Sequence, residues 1–380
     1  MRPGPSSSSS SEAVRAIPLT APGVRLDAAR DEIMRAVEGV FARGVFLRGP
    51  ETAAFERELA DSLGIGHAVA VGSGTDALTL ALRASEIRPG DEVITVALTA
   101  AATAAAIEDA GCVPRFVDVD PHTRCMDPAA AAAAIGPRTA AIVPVHLHGF
   151  PAPVDEIVAL ADRAGLVVVE DCAQAAGATL GNRSVGTFGS AAAFSFYPTK
   201  NLGAAGDAGA VATDNPQIAD RARRMREYGW DDRRIAVGPG SNCRIDELQA
   251  AVLRVMLPRL DAANGERRGL AAEYRERLTD HDLVLPPDQP GAVYHQFAIE
   301  TTHRDRLRKE LRSLGVETGI HYPVGLHRQP RFATGAPQLP ETERLSRCLL
   351  SLPIQPELAR GQIAAVSAAM SEALERCGLA

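Results

Sequence analysis

Lysine is nearly absent from this chain. Of its forty basic residues only Lys200 and Lys309 are lysines, and all the others are arginines. Net positive charge is lacking too. The balance of −7 disfavours nonspecific binding to nucleic acid, which needs a basic surface. No apolar run approaches the ~20 residues of a membrane helix, so no membrane partner is expected. The six cysteines, Cys112, Cys125, Cys172, Cys243, Cys348 and Cys377, contain no Cys-x-x-Cys pair. That spacing excludes a zinc ribbon and a simple iron–sulfur motif, and no metal is expected. Thiols scattered along a long chain fit a reduced, cytoplasmic compartment.

What is present is a long chain of ordinary apolar content. With 380 residues, 46% of them hydrophobic, it can form one large domain and a smaller one. The start, Met1–Pro5 followed by six serines, has no apolar h-region and reads as a disordered tail over residues 1–16. Short apolar runs then alternate with amphipathic stretches. Strands are predicted at 67–71, 92–96, 114–118, 140–145 and 166–170. Helices are predicted at 75–83, 100–110 and 154–164. This alternation predicts an α/β fold with a mostly parallel sheet covered by helices on both faces. The pattern changes near residue 255. A long polar helix is predicted over 248–277, a loop over 286–291 and a strand over 293–299. Residues 17–255 are therefore expected to form the large domain and 256–380 a smaller α+β domain.

Three segments carry chemistry. In Phe194-Ser195-Phe196-Tyr197-Pro198-Thr199-Lys200, one of the two lysines sits among aromatics in a chain only 4% aromatic. Arginine cannot lose its proton and so cannot serve as a nucleophilic amine, whereas a desolvated lysine can. A chance surface lysine is the alternative. Gly72-Ser73-Gly74-Thr75-Asp76-Ala77 follows a strand and opens a helix, a place where backbone N–H groups bind anions. It also reads as a dinucleotide fingerprint, with Asp91 and Glu92 as the distal acid, or as a plain turn with a Thr cap. Glu170-Asp171-Cys172-Ala173-Gln174 puts Asp171 at the end of a strand. There a carboxylate can hold a proton on a heterocyclic nitrogen, or merely cap a helix. An amine, an acid and an anion site together suggest pyridoxal 5′-phosphate.

The chain resembles the DegT–StrS family of nucleotide-sugar aminotransferases, of the type I aminotransferase fold. The resemblance rests on Leu47–Glu51, Gly72–Leu78, Pro144–Gly149, Glu170–Gly177, Phe194–Gly209, Arg244–Ala251 and His321–Pro323. It implies that Lys200 forms the Schiff base with the cofactor and that Asp171 pairs with the ring nitrogen. Gln174 is then expected near the ring hydroxyl, with Ser195, Gly74 and Thr75 at the phosphate. Asn242 is expected to reach the phosphate of a neighbouring subunit, which implies a homodimer with shared sites. His321, Tyr322 and His327 are possible substrate contacts. The form Ser-Phe-Tyr-Pro-x-Lys-Asn-Leu-Gly resembles members that aminate carbon 3. The expected substrates are a dTDP-linked 3-keto-6-deoxyhexose and L-glutamate. The alternatives are a 4-keto sugar nucleotide, a UDP-linked 3-keto sugar or a ketocyclitol. A nicotinamide-dependent oxidoreductase and a non-catalytic regulator are more remote, and Lys200 counts against a related dehydratase. Four positions depart from the family pattern: Ala100, where an aromatic usually covers the ring, and His148, Ala208 and Cys243.

Overall fold

The computed structural model describes residues 16–333, 335, 337–358 and 361–379. The serine tail expected over 1–16 therefore lies, but for residue 16, outside the described residues. In the first half, helices α1 (Pro22–Asp27), α2 (Arg30–Arg43) and α3 (Pro50–Leu63) lead into strand β1 (His67–Val71). Next come α4 (Gly74–Ala84), β2 (Glu92–Val96), α5 (Ala101–Asp109), β3 (Val113–Val117), α6 (Pro128–Ala134) and β4 (Thr139–Val143). The chain continues through α7 (Val154–Ala164), β5 (Val167–Asp171), a two-residue hairpin β6 (Thr179–Leu180) and β7 (Arg183–Ser184), β8 (Ala191–Ser195) and β9 (Gly209–Thr213). The second half holds α8 (Pro216–Met225), α9 (Glu247–Met256), α10 (Leu260–Leu278), β10 (Phe297–Glu300), α11 (Arg304–Ser313), α12 (Pro340–Cys348), β11 (Leu349–Leu352) and α13 (Gln362–Arg376).

Seven strands form one sheet in the order β1-β9-β8-β5-β4-β2-β3. Only β9 runs against the others, pairing antiparallel with β1 and β8. Central strands such as β2 and β9 are buried along their whole length, as expected of a sheet with helices on both faces. Ala191, Ala192, Ala193, Ala210 and Ala212 keep the middle of the sheet thin, and α4 packs directly across β8 and β9 there. A second apolar core joins the sheet to the C-terminal elements. It runs from Ile94 and Val96 to Phe297, Leu350 and Val366 without a break.

Two expectations need correction. The single helix over 248–277 is interrupted by a 3-10 turn at Leu257–Arg259. Pro258 lies in that turn and has no N–H to continue an α-helix. The strand over 293–299 shrinks to Phe297–Glu300 because the preceding backbone is engaged elsewhere. Val293 N donates to Gly149 O at 2.9 Å, and Gln296 N donates to His148 O at 3.2 Å.

This topology brings several chain segments to one edge. The carboxyl ends of β1, β2, β4, β5 and β8 point the same way. Because β9 is reversed, the segment before it arrives at the same edge. Such an edge is where ligands bind in α/β sheets.

Candidate active site

A cavity of about 270 Å³ opens at that edge. Each of six connections contributes to its wall. Gly74, Thr75 and Leu78 follow β1, and Thr99, Ala100 and Thr103 follow β2. Val145 follows β4, Asp171 and Gln174 come from β5, Ser195 and Lys200 from β8, and Asp207 precedes β9.

The N-terminus of α4 forms one end. Its cap is Ser73, not Thr75: the Ser73 hydroxyl accepts from Asp76 N at 3.1 Å and donates to Asp76 Oδ2 at 2.8 Å. Thr75 is thereby left free to face the cavity. A Cβ at Gly74 would lie 2.5 Å from Ser195 Cβ, so only glycine lets the start of α4 approach Ser195 this closely. The dinucleotide reading loses its acid here. Glu92 begins β2, at the opposite edge, and is paired with Arg115 and Arg138. Asp91 accepts from Arg88 N in a turn.

Asp171 is the last residue of β5 and is 7% exposed. Its Oδ1 accepts from Ala173 N at 3.1 Å, and its Oδ2 accepts from the Thr103 hydroxyl at 2.8 Å. Thr103 spends its proton on Asp171, so it must accept from the Thr99 hydroxyl, 3.0 Å away. This two-hydroxyl relay orients the carboxylate. Neither threonine stands out in the sequence, because the bond spans 68 positions between helix α5 and strand β5.

Behind Asp171 lies a fully buried pair. His146 Nδ1 accepts from Ala152 N at 2.9 Å, so the ring proton is on Nε2, facing Glu170 at 3.1 Å. Glu170 also accepts from the backbone N–H groups of Gly186, Phe188 and Gly189. Burial alone would raise its pKa, but the His146 and backbone bonds outweigh burial and lower it. Cys172 lies close enough to complete a metal-like trio, yet the lone pairs of His146 and Glu170 are already taken.

Lys200 shares the cavity with Asp171. Burial lowers its amine pKa to about 8, although Asp171 pulls the other way. A neutral amine is therefore within reach near physiological pH. Gln174 is locked by its two neighbours. Its Oε1 accepts from His148 N at 2.6 Å, and its Nε2 donates to the Tyr322 hydroxyl at 3.0 Å. Tyr322 thus approaches the site from the C-terminal part. His321 lies beside it with Nδ1 3.0 Å from Ser351 Oγ.

Two candidates stand apart. His327 is fully buried, faces Glu343 through Nε2 at 3.2 Å and does not line the cavity. Asn242 is exposed and lies outside the cavity of its own chain. Of the atypical positions, Ala100 forms part of the cavity wall, whereas Ala208 and His148 are buried beside it. Sequence reasoning missed Arg25, whose guanidinium donates to Lys200 O at 2.7 Å from 175 positions away.

The residues fit pyridoxal 5′-phosphate. An amine, a buried carboxylate and a glycine-lined helix N-terminus line one cavity, and Ala100, Ala102 and Ala173 leave space for a flat ring. Comparison with known proteins agrees with that fit. The sequence profile of the DegT/DnrJ/EryC1/StrS aminotransferase family matches residues 27–371. The dTDP-3-amino-3,4,6-trideoxy-alpha-D-glucose transaminase of Streptomyces venezuelae is 45% identical, over 93% of this chain and 96% of its own. The UDP-N-acetyl-3-dehydro-alpha-D-glucosamine 3-aminotransferase of Acidithiobacillus ferrooxidans is 44% identical, over 91% of this chain and 94% of its own. The crystal structure of S. venezuelae DesV in complex with a ketimine intermediate superposes with a TM-score of 0.92 at 44% identity, covering 94% of this chain and 98% of that one. The chain belongs to the DegT/DnrJ/EryC1/StrS aminotransferase family and is a pyridoxal-phosphate-dependent sugar aminotransferase.

Proposed function

We propose that this enzyme moves the amino group of L-glutamate to carbon 3 of a dTDP-linked 3-keto-6-deoxyhexose. The observation that carries the reading is the convergence of Lys200, Asp171 and the α4 N-terminus on one cavity. Bound there, pyridoxal phosphate supplies a carbonyl carbon that links to amines and a ring that accepts the electrons released when a C–H bond breaks. The protein supplies the rest. Lys200 contributes the linking amine and, once released, carries the proton between the two carbons concerned. Asp171, oriented by Thr103, keeps a proton on the ring nitrogen. Ser195, Gly74 and Thr75 bind the phosphate with the positive end of α4. Gln174 donates toward the ring hydroxyl. Tyr322 and His321 face the substrate, and His327 has no place in this scheme. Asn242 completes the phosphate site of a second subunit, which accounts for its exposure here and makes the working unit a homodimer.

The relative from A. ferrooxidans, similar to this chain at almost the same identity, favours a second reading, a UDP-linked 3-keto sugar. Both readings are tested by incubating the purified enzyme with ¹⁵N-glutamate and a panel of 3- and 4-keto sugar nucleotides, with mass detection. A labelled amine from the dTDP 3-keto sugar is expected. Label only in a 4-keto substrate would overturn the regiochemistry, and no labelled product with any substrate would overturn the activity. Lys200→Arg should fold, lose the visible absorbance of the loaded protein and give no product.

A further inference from the structure

Lys200 sits in a tight turn after β8, where its own N–H donates to Tyr197 O at 2.8 Å. The carbonyls of the peptides around it lie outside the sheet. Three of them converge on one side chain from α1. Arg25 Nη1 donates to Lys200 O at 2.7 Å and to Asn201 O at 3.2 Å, and Arg25 Nη2 donates to Pro198 O. Arg25 is 9% exposed. Its Nε has no hydrogen-bond partner among the described residues and stands 3.9 Å from the Glu357 carboxylate. Gly203 makes room for this arrangement. A Cβ at that position would fall 2.4 Å from Arg25 Nη2 and 2.5 Å from Pro198 O. From the other side the Asn201 amide donates to Asn264 Oδ1 at 2.8 Å and to Val293 O at 3.0 Å.

A buried cation is a costly way to fill space, since apolar side chains of similar volume do so without desolvating a charge. What a guanidinium adds is a planar fork that can hold several acceptors in fixed relation. We propose that Arg25 is a positioning residue for the reacting amine: by fixing the carbonyls of Pro198, Lys200 and Asn201 it sets where Lys200 Nζ stands relative to Asp171. This role presupposes that Lys200 is the amine that links to the cofactor. Lys200 is faced by Asp171 from β5 and by His295 and His321 from the C-terminal part, while Tyr197 and Asp207 line the same cavity. Replacing Arg25 leaves all of these groups in the chain.

The test compares wild type, Arg25→Gln and Arg25→Lys as pyridoxal-phosphate-loaded proteins. Borohydride reduction and peptide mapping first identify the linked residue. The pH midpoint of the visible absorbance and the kinetic constants are then measured. Arg25→Gln should fold, lower kcat about 10- to 100-fold with less than about a threefold change in KM, and move the midpoint by more than about half a pH unit. Arg25→Lys should show smaller changes in the same direction. An unmoved midpoint overturns the proposal, whatever happens to kcat or thermal stability. If Arg25→Gln does not fold, Arg25→Lys decides on the same readouts, and wild-type values there overturn the proposal. Mapping to a residue other than Lys200 removes the reading of the site itself. Mapping to Lys200 with unchanged Arg25 variants removes only the role of Arg25.

Discussion

At the residue scale, Lys200 and Asp171 form a pair whose behaviour depends on what surrounds them. Burial lowers the lysine pKa to about 8, and only the neutral amine attacks a carbonyl. The neutral fraction grows as pH rises through that value. The rate at which cofactor-free protein captures pyridoxal phosphate should therefore climb through about pH 8 and level off above it. Stopped-flow absorbance measures this, and a flat rate across that range would contradict a desolvated amine. Thr103 offers a second check. Thr103→Val removes the 2.8 Å bond to Asp171 while keeping the side-chain volume. Loss of a hydrogen bond to a charged group costs about 1.5–3 kcal/mol, so kcat should fall roughly 10- to 100-fold. A steady-state assay that found kcat unchanged would leave the hydroxyl relay without function.

At the element scale, some of the motif residues are scaffolding. Glu247, at the start of α9, is fully buried and accepts from the N–H groups of Gly49, Glu51 and Thr52 and from the Thr52 hydroxyl. It therefore caps α3 from another helix. A Cβ at Gly49 would meet its carboxylate at 2.5 Å, so this cap needs glycine at that position. Glu247→Ala leaves several buried donors unpaired. It should lower unfolding free energy by about 2–4 kcal/mol, read from urea denaturation of cofactor-free protein at fixed concentration. A change below about 0.5 kcal/mol would show that water replaces the carboxylate easily.

At the scale of the whole molecule, the exposed Asn242 and the cavity containing Lys200 need two chains if each site is shared. Lys200→Arg and Asn242→Ala proteins should each be inactive or weak alone. Mixing and reassembling them should restore activity, because each hybrid dimer then holds one site with an intact Lys200 and an intact Asn242. Activity that never exceeds the sum of the separate proteins would place Asn242 outside the site of its partner.

The strands at 67–71 and 92–96 and the helix at 154–164 were legible because burial on both sheet faces and the helical period leave local signatures. Lys200, conspicuous by the scarcity of its type, and Asp171, at a strand end, also stood out in the sequence, and the structure brings both to one cavity. The break at Pro258 is also local, and the apolar–polar period simply ran across it. By contrast, the reversal of β9, the Thr103 bond to Asp171 and the Arg25 clamp on the Lys200 turn join residues far apart in the chain. The sequence by itself determined the elements and the reactive residue types, because these follow from short-range periodicity and side-chain chemistry. Only the tertiary structure decided which carbonyls, hydroxyls and helix ends meet at the cavity, because those contacts depend on sheet order, and no local pattern encodes it.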